Sequence, residues 1–192
     1  MKTVFLDRDG VICEDREDYV KNWEEFVWIP GSKEAISKLT KDGFRIFIVT
    51  NQSCIGKGIV TLKAVEEIHR RMLQEIASSG GNIEKIYICP HRPDEGCSCR
   101  KPGTGLLLQV KKEVNVDLED SYLVGDTIID VEMGNSAGCR TIIVRTGRGL
   151  EKIEKSENSH IKPDYIVSNL REAADLILTR VSPARGEGKG EK

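Results

Sequence analysis

Neither sign of charge dominates this 192-residue chain: 29 lysines and arginines stand against 31 aspartates and glutamates, a formal net charge of −2. It therefore lacks the basic field that polynucleotide binding recruits, and nothing suggests a helix suited to a membrane surface. No apolar run approaches transmembrane length, and the N-terminus enters a strand pattern at once instead of showing a signal-peptide shape. These absences point to a soluble, cytoplasmic protein, expected to be monomeric because no apolar helix face is obviously left uncovered. No internal repeat or second large domain is evident. With 39% hydrophobic residues, the length suits one domain with a sizeable core. We expect that domain to span 1–182, with the polar, glycine-rich 183–192 as a disordered tail.

Strand and helix patterns alternate along the chain. Strands are expected at Lys2–Leu6, Phe44–Val49, Lys85–Cys89, Tyr122–Val124, Thr141–Val144 and Tyr165–Val167. Between them, Ser32 is expected to cap a helix that runs through Leu39 and stops at Asp42-Gly43. Thr61 starts a longer one, with Val65, Ile68, Met72 and Ile76 on its apolar stripe. Leu106, Leu107, Val110 and Val114 line a third, and Leu170 to Leu178 form the last. This order predicts an α/β fold, a Rossmann-like three-layer sandwich with a mainly parallel sheet and no large cap. In such sheets ligands bind beyond the carboxyl ends of the strands, so the residues after each strand carry the argument.

Asp7-Arg8-Asp9-Gly10 follows the first strand. Two carboxylates one residue apart can share a crevice and suit phosphoryl transfer, although D-x-D-G also occurs in turns and calcium loops. Thr50-Asn51-Gln52-Ser53 follows the second, where hydroxyls and backbone N–H groups can hold phosphate oxygens or simply make a polar turn. Arg100-Lys101 is placed immediately before a helix, whose start favours anions. Asp126 ends the fourth strand, either as a metal ligand or as a helix cap, with Asp130 four residues on. Magnesium needs few carboxylates beside water and phosphate oxygens, so Asp7 and Asp126 would suffice.

The six cysteines are uneven: Cys89, Cys97 and Cys99 crowd with His91 into 89–99. Three thiolates and an imidazole fit a closed tetrahedral zinc site, a structural centre, better than disulfides. Cys13 and Cys139 are expected to fill apolar gaps. Trp23, Phe26 and Trp28 are expected to pack, and His69 and His160 to be solvated or structural.

Together these segments, from Lys2 to Arg145, resemble the haloacid dehalogenase superfamily of phosphotransferases. The resemblance implies Asp7 as nucleophile, Asp9 as general acid and base, and Thr50 and Lys101 as stabilisers of the transferring phosphoryl group. It also implies magnesium held by Asp7, the Asp9 backbone carbonyl and Asp126. The C-x-H…C-x-C-R-K-P insert is similar to the group holding heptose-bisphosphate phosphatases and the histidinol-phosphate phosphatase domain. Asp18-Tyr19-Val20, Trp23-Glu24-Glu25-Phe26, Pro30-Gly31 and the stretch after Thr50 resemble the former. They imply hydrolysis of the 7-phosphate of D-glycero-D-manno-heptose 1,7-bisphosphate in nucleotide-activated heptose synthesis. Arg8, Asp15, Arg16, Asp18, Tyr19, Asn51, Gln52, Ser53, Arg100 and Thr127 would then border the phosphorylated sugar. Two positions depart from that pattern: Cys54 stands where glycine is usual, and Thr127 where a basic residue is common. The short His91–Cys97 spacing also resembles the histidinol-phosphate branch. Histidinol-phosphate phosphatase is therefore the alternative, with a polynucleotide 3′-phosphatase a more distant one that the near-neutral charge disfavours.

Overall fold

The computed structural model describes residues 2–147 and 161–181; the expected tail 183–192 and His160 lie outside them. Six strands form one parallel sheet: β1 (Thr3–Leu6), β2 (Arg45–Asn51), β3 (Lys85–Cys89), β4 (Ser121–Gly125), β5 (Arg140–Val144) and β6 (Tyr165–Val167). Their spatial order is β3-β2-β1-β4-β5-β6, and every adjacent pair is parallel. The helices are α1 (Ser32–Lys41), α2 (Ser53–Gly56), α3 (Leu62–Ser78), α4 (Gly105–Val114), α5 (Ile128–Ala137) and α6 (Leu170–Val181).

Alternation along the strands divides the interior into two layers. Val4, Leu6, Ile46, Ile48, Val124 and Val144 pack on α1, α3 and α6 through Ile36, Leu39, Met72 and Ile177. Phe5, Phe47, Val49 and Leu123 face the other way, against Leu106, Leu107 and Val110 of α4 and Met133 of α5. Both sheet faces are thus covered, which is why the strands read as continuous apolar runs. Of the expected aromatic cluster, Trp23 stacks on Phe26 at 4.9 Å between centroids, and Trp28 meets Phe26 edge-on at 5.0 Å. No helix among the described residues is long and apolar enough to cross a membrane.

Three local expectations change. Thr50 and Asn51 belong to β2, because their backbones still pair with Ile88 and Cys89 of β3. Helix α4 begins at Gly105, so a turn separates it from Arg100-Lys101, and those cations do not sit on its first amides. Ser32 is the first residue of α1, not its cap. Gly31 holds the cap position with φ 86° and makes no side-chain hydrogen bond. The Ser32 hydroxyl is buried without a partner, an arrangement that costs free energy. We expect Ser32→Ala to raise stability in urea by about 1 kcal/mol. A loss of about that size would instead mean that the hydroxyl caps the helix.

Candidate active site

The carboxyl ends of β1, β2 and β4 open into one cavity of about 550 Å³, bordered by Asp7, Asp9, Thr50, Lys101, Asp126 and Thr127. Strand pairing carries Asp7 to this edge, and its N–H donates to the Val124 carbonyl of β4 (2.9 Å). Its carboxylate Oδ1 accepts from the Arg8 N–H at 2.7 Å and lies 3.0 Å from the Lys101 ammonium. Lys101 Nζ also donates to Asp130 Oδ1 at 2.7 Å. Asp130 in turn accepts from the Thr127 N–H (3.1 Å) and hydroxyl (2.5 Å). Thr127 therefore caps α5 in a reciprocal box with Asp130, and Asp126 is left facing the crevice.

Carboxylate oxygens of Asp7, Asp126 and Asp130 come within 4.8 Å of one another. Crowding of this kind is visible in their acidity. Burial lifts the Asp7 pKa to about 6 against the pull of Lys101. Burial, then the charges of Asp7 and Asp130, lift Asp126 to about 8. Burial alone would lower Lys101, but Asp130 and Asp7 outweigh it and hold the ammonium more firmly protonated. Asp130 is already neutralised by Lys101, so Asp7 and Asp126 are the pair whose repulsion a divalent cation would relieve. Gly10 permits their approach: at φ +80°, a Cβ there would lie 2.5 Å from Asp126 Oδ2.

Asp9 has a different environment. Arg8 donates from Nε to its Oδ1 (3.1 Å) and from Nη2 to both oxygens (2.8 and 2.9 Å). Gln52 Nε2 donates to Oδ2 (2.9 Å). Burial pushes the Asp9 pKa up, yet the Arg8 charge and these hydrogen bonds outweigh it and leave it below the ordinary carboxylate value. Behind Arg8 stands His69 of α3, with Nε2 3.0 Å from Nη1. Burial, then the neighbouring guanidinium, lowers the His69 pKa to about 3, so the imidazole is neutral and accepts this bond.

The expected substrate residues separate into four groups. Asp15, Arg16, Tyr19, Ser53, Arg100 and Thr127 border the cavity. Arg8, 1% exposed, and Gln52, 2% exposed, turn inward and brace Asp9. Gln52 also donates to the Thr50 hydroxyl (3.0 Å). Asn51 borders the cavity but spends its amide on the Lys101 backbone, accepting from the N–H (3.1 Å) and donating to the carbonyl (3.3 Å). Asp18 is not in the cavity wall; it pairs with Arg16 and Lys21 near the surface. Cys54 is buried in α2 and does not adopt positive φ, so a side chain there needs no strained backbone. Sequence reasoning missed the place of Asp130 beside Lys101 and the buried contact of His69. A T-x-x-D capping pattern at Thr127–Asp130 could have signalled the first.

A second cluster precedes Arg100, which borders the cavity. Cys89 Sγ lies 3.6 Å from both His91 Nδ1 and Cys97 Sγ, and Cys99 Sγ lies 3.3 Å from His91 Nδ1 and 3.5 Å from Cys97 Sγ. All three sulfurs are free thiols. Arg100, the next residue, donates to the His91 carbonyl (3.3 Å).

The HAD-hydrolase-like family model matches residues 98–173. The chain is 41% identical over 152 residues to a D-glycero-β-D-manno-heptose-1,7-bisphosphate 7-phosphatase of Pseudomonas aeruginosa, covering 79% of this chain and 85% of the relative. The chain belongs to the heptose-bisphosphate phosphatase family of the haloacid dehalogenase superfamily. A Pseudomonas putida enzyme of the same name is 43% identical over 155 residues, 81% of this chain and 89% of its own. The crystal structure of the Bordetella bronchiseptica D,D-heptose 1,7-bisphosphate phosphatase, complexed with magnesium and phosphate, superposes with a TM-score of 0.88. It is 33% identical and the match covers 94% of this chain and 99% of that one. The family makes this chain a phosphoric monoester hydrolase, as the paired carboxylates after β1 implied.

Removing the ammonium between Asp7 and Asp130 leaves buried carboxylates uncompensated. Lys101→Met is therefore expected to lower stability by about 3 kcal/mol in denaturant titrations. Unchanged stability would mean that these carboxylates do not depend on Lys101.

Proposed function

We propose that the chain hydrolyses the 7-phosphate of D-glycero-β-D-manno-heptose 1,7-bisphosphate, releasing the 1-phosphate and inorganic phosphate. The reading rests on one observation above the rest: beside Lys101 and Arg8, which pair with Asp7 and Asp9, the cavity wall carries two further cations, Arg16 and Arg100. A wall with several cations suits a substrate bearing a second phosphate and disfavours the ammonium of histidinol phosphate. The names of the Pseudomonas relatives specify the β anomer, which supports the same choice.

In this mechanism a carboxylate oxygen of Asp7 attacks the 7-phosphorus as the bond to the sugar oxygen breaks. The protonated form of Asp9, the minor one beside Arg8, gives that oxygen a proton, and the acyl phosphate on Asp7 remains. Asp9, now a carboxylate, takes a proton from water, whose oxygen attacks the same phosphorus and frees Asp7. Thr50, held by Gln52, and Lys101, held by Asn51, donate to the equatorial oxygens, where charge spreads during transfer. Asp7, Asp126 and the Asp9 carbonyl would hold magnesium, which when bound screens Asp7 from the substrate's negative charge. The repulsion between Asp7 and Asp126 supports that fit.

Cys89, His91, Cys97 and Cys99 would hold a structural zinc. Their separations of 3.3–3.6 Å support this, because metal–sulfur bonds of about 2.3 Å give tetrahedral edges near 3.7 Å. The zinc would fix the loop that ends at Arg100 and Lys101. Metal analysis is expected to find one zinc per chain, lost in Cys97→Ser together with phosphatase activity. Full activity in a zinc-free protein would refute the assignment.

The decisive assay follows phosphate release with magnesium from both heptose 1,7-bisphosphate anomers and from histidinol phosphate. We expect kcat/KM to favour the β-heptose ester over each of the others by at least about tenfold, and Asp7→Asn to abolish release while retaining fold. Preference for histidinol phosphate would assign the chain to the other branch. Normal turnover by Asp7→Asn would remove Asp7 as nucleophile.

A further inference from the structure

The buried contact between α3 and Arg8 has no place in the reaction as described. We propose that His69 is a positioning residue: by accepting from Arg8 Nη1, it fixes the guanidinium that aims Asp9 at the leaving oxygen. This rests on the assignment of Asp9 as general acid.

Arg8 is the largest fully buried side chain among the described residues, and its planar head can only donate. Its Nε–Nη2 edge grips Asp9, and Nη2 also donates to Gln52 Oε1 (3.1 Å). His69 meets the remaining nitrogen, Nη1, at 3.0 Å. The guanidinium is thus held on Asp9, Gln52 and His69, and only His69 comes from a long helix. Helix α3 is anchored independently of the site: Thr61 caps it, accepting from the Ala64 N–H at 3.2 Å. Its Ile68, Met72 and Ile76 sit in the main core. A histidine on that apolar stripe therefore ties Asp9 to the rigid body of the fold. Because supporting hydrogen bonds set the geometry of catalytic groups, their loss is felt in rate even when no substrate contact is removed.

A residue that serves the general acid can be separated from one that merely fills space by changing the leaving group. The sugar alkoxide needs a proton, whereas p-nitrophenolate leaves without one. We compare kcat/KM for the heptose bisphosphate and for p-nitrophenyl phosphate, which reports steps through the first phosphoryl transfer. His69→Leu is expected to lower the sugar ester about tenfold and the aryl ester less than about twofold. His69→Gln, whose amide oxygen can accept from Nη1, should restore most of the loss. If His69→Leu does not fold, as judged by circular dichroism, His69→Met takes its place. Equal losses on both esters, or none on either, would overturn the proposal. Asp9→Asn locates any failure. A split between the esters in Asp9→Asn with none in His69→Leu would sink the role of His69 alone. Equal losses in Asp9→Asn would sink the acid assignment and this proposal with it.

Discussion

A single buried ammonium organises the site. Lys101 Nζ stands 3.0 Å from Asp7 and 2.7 Å from Asp130, where an unpaired charge would be prohibitive. Much of the surrounding structure serves to keep it there. Asn51 clamps the Lys101 backbone from the end of β2, Thr127 steadies Asp130 from the start of α5, and the Cys/His loop delivers the chain to Arg100 and Lys101. Elements distant in sequence converge on one nitrogen because the parallel sheet brings their ends to one edge.

A second buried cation, Arg8, does the converse work one residue from Asp7. It lowers the pKa of Asp9 while Asp7 is pushed up to about 6. The two carboxylates of one short motif thereby meet different chemical environments. The separation depends on what backs each side chain: Asp7 and Asp126 come together in the crevice, whereas Asp9, also on the cavity wall, is held from behind by Arg8 and Gln52.

The strands, their parallel direction and the residues that follow them were legible in the sequence because buried strands and strand-end polar residues leave a local pattern. The Cys89–Cys99 cluster was legible for the same reason, its members lying close along the chain. Contacts that depend on packing were not. Arg8 and His69 are 61 residues apart, and a histidine on an apolar helix stripe looks like any satisfied core residue. The family resemblance implies Gln52 and Asn51 as residues bordering the substrate, but each faces another side chain or backbone that needs holding. Ser32 has the composition of a helix cap, yet Gly31 takes the turn with φ 86° and leaves the hydroxyl inside the fold.

In the proposed mechanism phosphorus bonds to Asp7 before water reaches it. The stereochemical course at phosphorus tests this, with a substrate whose 7-thiophosphate is chiral in two oxygen isotopes and turnover in water labelled with the third. Two in-line displacements, one by Asp7 and one by water, predict net retention of configuration. Net inversion would mean that water attacks the substrate in one step and that Asp7 never carries the phosphoryl group.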